Sequence, residues 1–119
     1  MDFSNKGIVL LSKLLDLTST SNKVLANNIA NANTPGFKKY DVSFQRELTK
    51  AVESKDINKI KAIHEKIILS GDKSSRKDGN NVDLDKELVS FYHMSDRHNL
   101  YLELLSKKFK GMVAAIQSK

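Results

Sequence analysis

Residues 84–116 read LDKELVSFYHMSDRHNLYLELLSKKFKGMVAAI, and their spacing decides the fold. Leu84, Leu88, Phe91, Ser95, His98, Leu102, Leu105, Phe109, Met112 and Ile116 follow one another four and three residues apart without a break. A 3.5-residue period sustained over that length marks a long helix that lays one seam against another helix. Asp83 or Asp85 is placed to cap its start, with Glu87 near the positive end of the helix dipole. Lys107, Lys108 and Lys110 stand toward the negative end.

A matching seam lies near the other end of the chain. From Gly7 to about Asn31 the positions Ile8, Leu11, Leu15, Thr18, Asn22, Leu25 and Ile29 keep the same spacing. Leu10, Leu14, Leu17 and Val24 widen that face, so this helix needs more than one packing partner. Laid antiparallel with Ile29 beside Leu88, the two seams bring Leu25 to Phe91, Asn22 to Ser95 and Thr18 to His98. The same register brings Leu15 to Leu102, Leu11 to Leu105 and Ile8 to Phe109. Apolar then meets apolar and polar meets polar. A polar layer inside such a seam costs stability and fixes register.

The first helix stops within NNIANANTPGFKKY, residues 27–40, which holds the only proline of the chain. Asparagine is a poor helix former, proline biases Thr34 toward extended backbone, and Pro35 and Gly36 suit the central positions of a type II turn. Phe37 is placed to pin the outgoing chain by apolar contact. A helix end and a turn explain Pro35 and Gly36, but not the surplus of asparagine.

Between the turn and the last helix, Asp41 or Ser43 offers an N-cap for a short helix with Phe44, Leu48 and Ala51 or Val52 on one face. DINKIKAIHEKIIL, residues 56–69, places Ile57, Ile60, Ile63 or His64, and Ile67 on one stripe and predicts a second. SGDKSSRKDGNN, residues 70–81, has almost no apolar side chain and reads as a flexible loop. The expected fold is all-α: long N- and C-terminal helices in an antiparallel coiled-coil-like pair, with a turn, short helices and a loop between them. The single domain divides into residues 1–31, 32–82 and 83–119.

Composition excludes much chemistry. With no cysteine there is no disulfide, no thiolate nucleophile and no Cys-based metal site. His64, His93 and His98 form no HExxH or other metal pattern, the glycines stand singly, and no nucleophile elbow or paired-carboxylate constellation is present. DGNNVD, residues 78–83, lacks the bidentate glutamate that ends a calcium loop. No enzyme, cofactor or metal is expected. Asp2 precedes any basic residue, and Lys13 and Asp16 interrupt the first apolar run, which argues against a cleavable signal. The net charge of +6 leaves a basic helical nucleic-acid-binding module as the alternative reading, although acidic residues are interleaved throughout.

Three stretches together, LANNIANANTPGFK (25–38), DGNNVDLDKEL (78–88) and YLELLSKKFKGMVAAI (101–116), resemble the rod proteins of the bacterial flagellar basal body. The second and third favour the proximal B-type subunit. That resemblance implies a structural protein whose terminal helices pack with other rod subunits into a drive shaft carrying torque across the periplasm. It implies export through the flagellar type III apparatus without a cleaved signal, and termini that order on assembly. Carried onto this chain, Asn27, Asn28, Asn31, Asn33, Thr34, Pro35, Gly36 and Phe37 would form the family's turn and packing motif. Asn80, Val82, Asp83 and Glu87 would mark the start of the last helix. The asparagine amides would then serve neighbouring subunits as well as their own helix end.

Overall fold

The two seams form the two long helices of the fold, α1 (Asn5–Ala30) and α4 (Leu84–Gln117), which pack side by side. The computed structural model describes residues 5–74 and 76–118, so residues 1–4 and 119 of the expected terminal helices lie outside the described residues. α4 begins where Asp83, extended at φ −95° and ψ 102°, accepts a hydrogen bond from the backbone N–H of Lys86. Its 34 residues at about 1.5 Å rise each account for most of a molecule measuring 67 × 26 × 14 Å.

α1 has the second partner that its broad apolar face requires. Leu17, fully buried, packs with Leu48, Ala51, Ile60 and Ile63, and half-buried Val9, Leu10, Leu14 and Phe44 close around them. Leu48 and Ala51 come from α2 (Gln45–Ser54), Ile60 from α3 (Ile57–Lys61) and Ile63 from just beyond it; α3 lies against α1 and α2 against α3. Lys13 Nζ donates to the carbonyl of Ile63 at 3.0 Å and Thr20 Oγ1 to Glu65 Oε1 at 3.2 Å, which tie the end of this small lobe to α1.

Three expectations are corrected. The chain is mostly helical but not all-α, because β1 (Tyr40–Ser43) pairs antiparallel with β2 (Lys66–Leu69), Tyr40 opposite Leu69 and Ser43 opposite Lys66. The helix expected over 56–69 is therefore only α3, capped by Asp56 through the N–H of Asn58, and the chain is extended by Lys66. Its isoleucines satisfied a helical stripe, but Ile67 and Ile68 are β-branched and the ladder with β1 supplies the hydrogen bonds a helix would have made. Neither Asp41 nor Ser43 caps α2; Phe44 holds that position at φ −157° with no side-chain bond, since both candidates are drawn into β1. The coiled-coil description of α1 and α4 holds only approximately.

Candidate functional site

The asparagines meet at the end of α1 and organise the strand and loop beside it. Asn28 is fully buried. Its Nδ2 donates to the carbonyl of Tyr40 at 2.8 Å and its Oδ1 accepts from the N–H of Tyr40 at 3.0 Å, so one side chain pairs with both backbone groups of the first residue of β1. The same Nδ2 donates to Glu87 Oε2 at 3.2 Å. Asn31 extends the helix end, taking its N–H to the carbonyl of Asn27 at 3.1 Å and its amide to the same oxygen at 2.8 Å. Thr34 Oγ1 donates to Asn31 Oδ1 at 3.1 Å. Phe37 N–H closes the turn on Thr34 at 3.2 Å with Gly36 at φ 75°, the positive value a type II turn needs at that position.

From the far side of the sequence, Asn80 locks the turn. Fully buried, it donates through Nδ2 to the carbonyls of Asn31 at 2.8 Å and Thr34 at 2.9 Å, while its Oδ1 accepts from Val82 N–H at 2.8 Å. Asn81 Oδ1 accepts from Lys39 N–H at 2.7 Å, and Gly36 N–H donates to the carbonyl of Asp78 at 2.7 Å. Gly79, at φ 80°, faces Gly36 closely enough that a Cβ there would meet the Gly36 Cα at 3.7 Å. Arg76 donates to the carbonyl of Ala32 and pairs with Asp78 at 3.0 Å. The polar stretch 70–81 is a loop, and it is bonded to the turn it faces. The asparagine surplus thus has local work: it satisfies the backbone of three irregular segments that meet where no helix or sheet can.

Lys39 and Glu87 stand at the base of this network. Lys39 Nζ lies 3.1 Å from Asp72 Oδ2 and 3.3 Å from Glu87 Oε1, and Glu87 is 5% exposed. Burial pulls the Lys39 ammonium down from 10.5, but the bond to Asp72 and the fields of Glu87 and Asp41 outweigh it and leave it raised. The Lys39 bond and charge hold the Asp72 carboxyl below 3.8. A lowered acid contributes stability that is present above its unfolded value and is lost as pH falls through its folded value. A raised lysine contributes below its unfolded value and loses it as pH rises through its folded one. Asp72→Asn is therefore expected to lower the urea midpoint at neutral pH, with the gap from the parent closing as pH falls below 3.8. An unchanged gap in acid contradicts the linkage.

Along the helix pair, Thr18 Oγ1 and His98 Nδ1 are 2.8 Å apart, and Asn22 Nδ2 donates to Ser95 Oγ at 3.2 Å. With Asn28 on Glu87, the partner number falls as the α1 number rises, so the helices run antiparallel. Leu11 and Thr18 are buried; Ile8, Leu15, Asn22, Leu25 and Ile29 are half-buried. On α4, Leu88, Phe91, Ser95, His98, Leu105 and Met112 are half-buried, whereas Leu84, Leu102, Phe109 and Ile116 are 45%, 47%, 48% and 69% exposed. In the turn, Asn27, Asn33, Thr34, Pro35 and Gly36 are exposed, and Phe37 is half-buried edge-on to Tyr40.

Asn22 Oδ1 is buried without a partner. Replacing Asn22 and Ser95 together by leucine removes that orphan and is expected to raise stability by about 1–2 kcal/mol while loosening register. Thermal melts and sedimentation of the double variant check this; a lower melting temperature would oppose it. Lys39, Asp72, Arg76 and Asn81 were not singled out by sequence reasoning. The paired Asn80 and Asn81, matching the asparagines of 27–33, carried the available signal.

Comparison with known proteins identifies the same region. Residues 17–38 match the family described as Flagella basal body rod protein. The chain is 33% identical over 113 aligned positions to flagellar basal body rod protein FlgB of Bacillus subtilis, covering 86% of each. It is 33% identical over 122 positions to that of Escherichia coli, covering 87% of this chain and 88% of the relative. With the Borrelia hermsii protein of the same name the identity is 27%, and the match takes in 98% of this chain and all of the relative.

Proposed function

Because this chain belongs to the FlgB family of flagellar basal-body rod proteins, we propose that it takes its place in the proximal rod, on the periplasmic side, after export through the flagellar type III apparatus. It is a structural subunit of the rod. The nucleic-acid reading finds no support in the family match or in the named relatives.

The observation that carries assembly is the surface of α4. Among its described residues the only buried one is Glu87, a charged side chain, while Val89, Tyr92, Leu100, Leu102, Leu104, Phe109, Val113 and Ile116 are 40–69% exposed. A helix with so many apolar residues and none of them buried is half of a packing arrangement. Neighbouring rod subunits are its natural cover, and the terminal helices complete their packing only in the shaft. Rigid attachment of α1, the turn and α4 through Asn28 and Asn80 suits an element that passes torque along rather than absorbing it.

Deleting the gene in its own bacterium, with restoration in trans, tests the role. Loss of swimming with basal bodies arrested before the rod is expected in electron micrographs. Normal motility and complete basal bodies would overturn it.

A further inference from the structure

An open cleft of about 630 Å³ lies where the start of α2 faces the middle of α4. Two guanidinium side chains line it, Arg46 from α2 and Arg97 from α4, and neither forms an ion pair among the described residues. Ser21 of α1 lines the cleft as well. It is 4% exposed, and its hydroxyl has no hydrogen-bond partner among the described residues. No side chain caps the first turn of α2, so its leading N–H groups are unclaimed at the same place. Two exposed guanidiniums without ion pairs, a serine hydroxyl open to the cleft and an uncapped helix start turn donors toward one space.

The remaining lining defines what kind of acceptor fits. Val42, Phe44 and Met94 give part of the lining an apolar character, which suits a short methylene stem better than a bare ion. Glu47 also lines the cleft and opposes a dianion more than a monoanion. A carboxylate on an apolar stem meets both conditions.

We propose that this cleft is a carboxylate-binding site that receives a glutamate or aspartate side chain from an adjoining subunit; the adjoining subunit, though not the carboxylate chemistry, rests on the rod assignment above. The guanidiniums hold the carboxylate oxygens in fork geometry, Ser21 donates a third bond, and the apolar part of the lining covers the stem.

Titration of the 15N-labelled full chain with the peptide acetyl-Ala-Leu-Glu-Leu-Ala-amide tests the chemistry without any rod. Saturable shifts are expected at the Nε–H groups of Arg46 and Arg97 and at the amides of Gln45, Arg46 and Glu47. In Arg46→Gln with Arg97→Gln the affinity should fall by about tenfold or more, the loss of two charge-assisted bonds. Lys50→Gln with Lys59→Gln, which removes the same charge elsewhere, should leave it unchanged. Equal weakening by both pairs, equal binding of the peptide with Gln in place of Glu, or binding of inorganic phosphate alone would each overturn the site. The source is tested separately in cells: the arginine pair should impair swimming and the lysine pair should not. Peptide binding with normal swimming of the arginine pair would overturn the adjoining subunit as source while leaving both the carboxylate site and the rod assignment standing.

Discussion

Asn28→Ala is expected to cost about 3–5 kcal/mol, enough to leave a domain of ordinary stability largely unfolded at modest denaturant. The side chain is fully buried and makes bonds at 2.8, 3.0 and 3.2 Å to both backbone groups of Tyr40 and to Glu87. Truncation leaves the N–H and carbonyl of Tyr40 and a buried carboxylate oxygen of Glu87 each short of a partner. Asn28→Asp keeps the acceptor for Tyr40 N–H but loses the donor and sets a second carboxylate beside Glu87, so a comparable loss is expected. Urea unfolding followed by circular dichroism measures both. A loss below about 1 kcal/mol for the alanine variant would show that the network carries little of the stability.

The second large effect is on assembly rather than folding. Leu102, Phe109 and Val113 line one apolar groove on α4 and are 47%, 48% and 51% exposed. Phe109→Glu with Val113→Glu is expected to change monomer stability by no more than about 0.5 kcal/mol, as for other exposed positions. Buried against a neighbour, each unpaired carboxylate costs several kcal/mol, so the rod should fail to build and swimming should be lost. Asn99→Glu, an exposed position on the same helix, serves as the charge control. Normal swimming of the double variant would mean this groove faces water in the assembled shaft.

Much of the fold was legible because helix pairing is a local periodic signal. The 3.5-residue spacing placed Asn22 against Ser95 and Thr18 against His98, and the hydrogen bonds run between those side chains. The turn at Pro35 and Gly36 was legible for the same reason, since its chemistry lies within four residues. The small sheet was not. KIIL at 66–69 continues a stripe begun at Ile57, and only the presence of residues 40–43 alongside turns it into strand. Nor did Asn28 and Asn80 announce their partners, because a buried amide that satisfies a distant backbone leaves no spacing to read. The arginine cleft is a meeting of α1, α2 and α4 and has no linear motif at all.

The contact of Thr18 with His98 ties the direction of one hydrogen bond across the helix pair to the tautomer of the ring. A threonine hydroxyl has one hydrogen, and Thr18 Oγ1 gives it to the carbonyl of Leu15 at 3.1 Å. With its hydrogen on Leu15, Thr18 takes the bond from His98 in the tautomer that carries its proton on Nδ1; in the other tautomer Thr18 donates to Nδ1 instead. Either way one hydrogen bond joins the two long helices at this level, and nitrogen chemical shifts of His98 would read which way it runs.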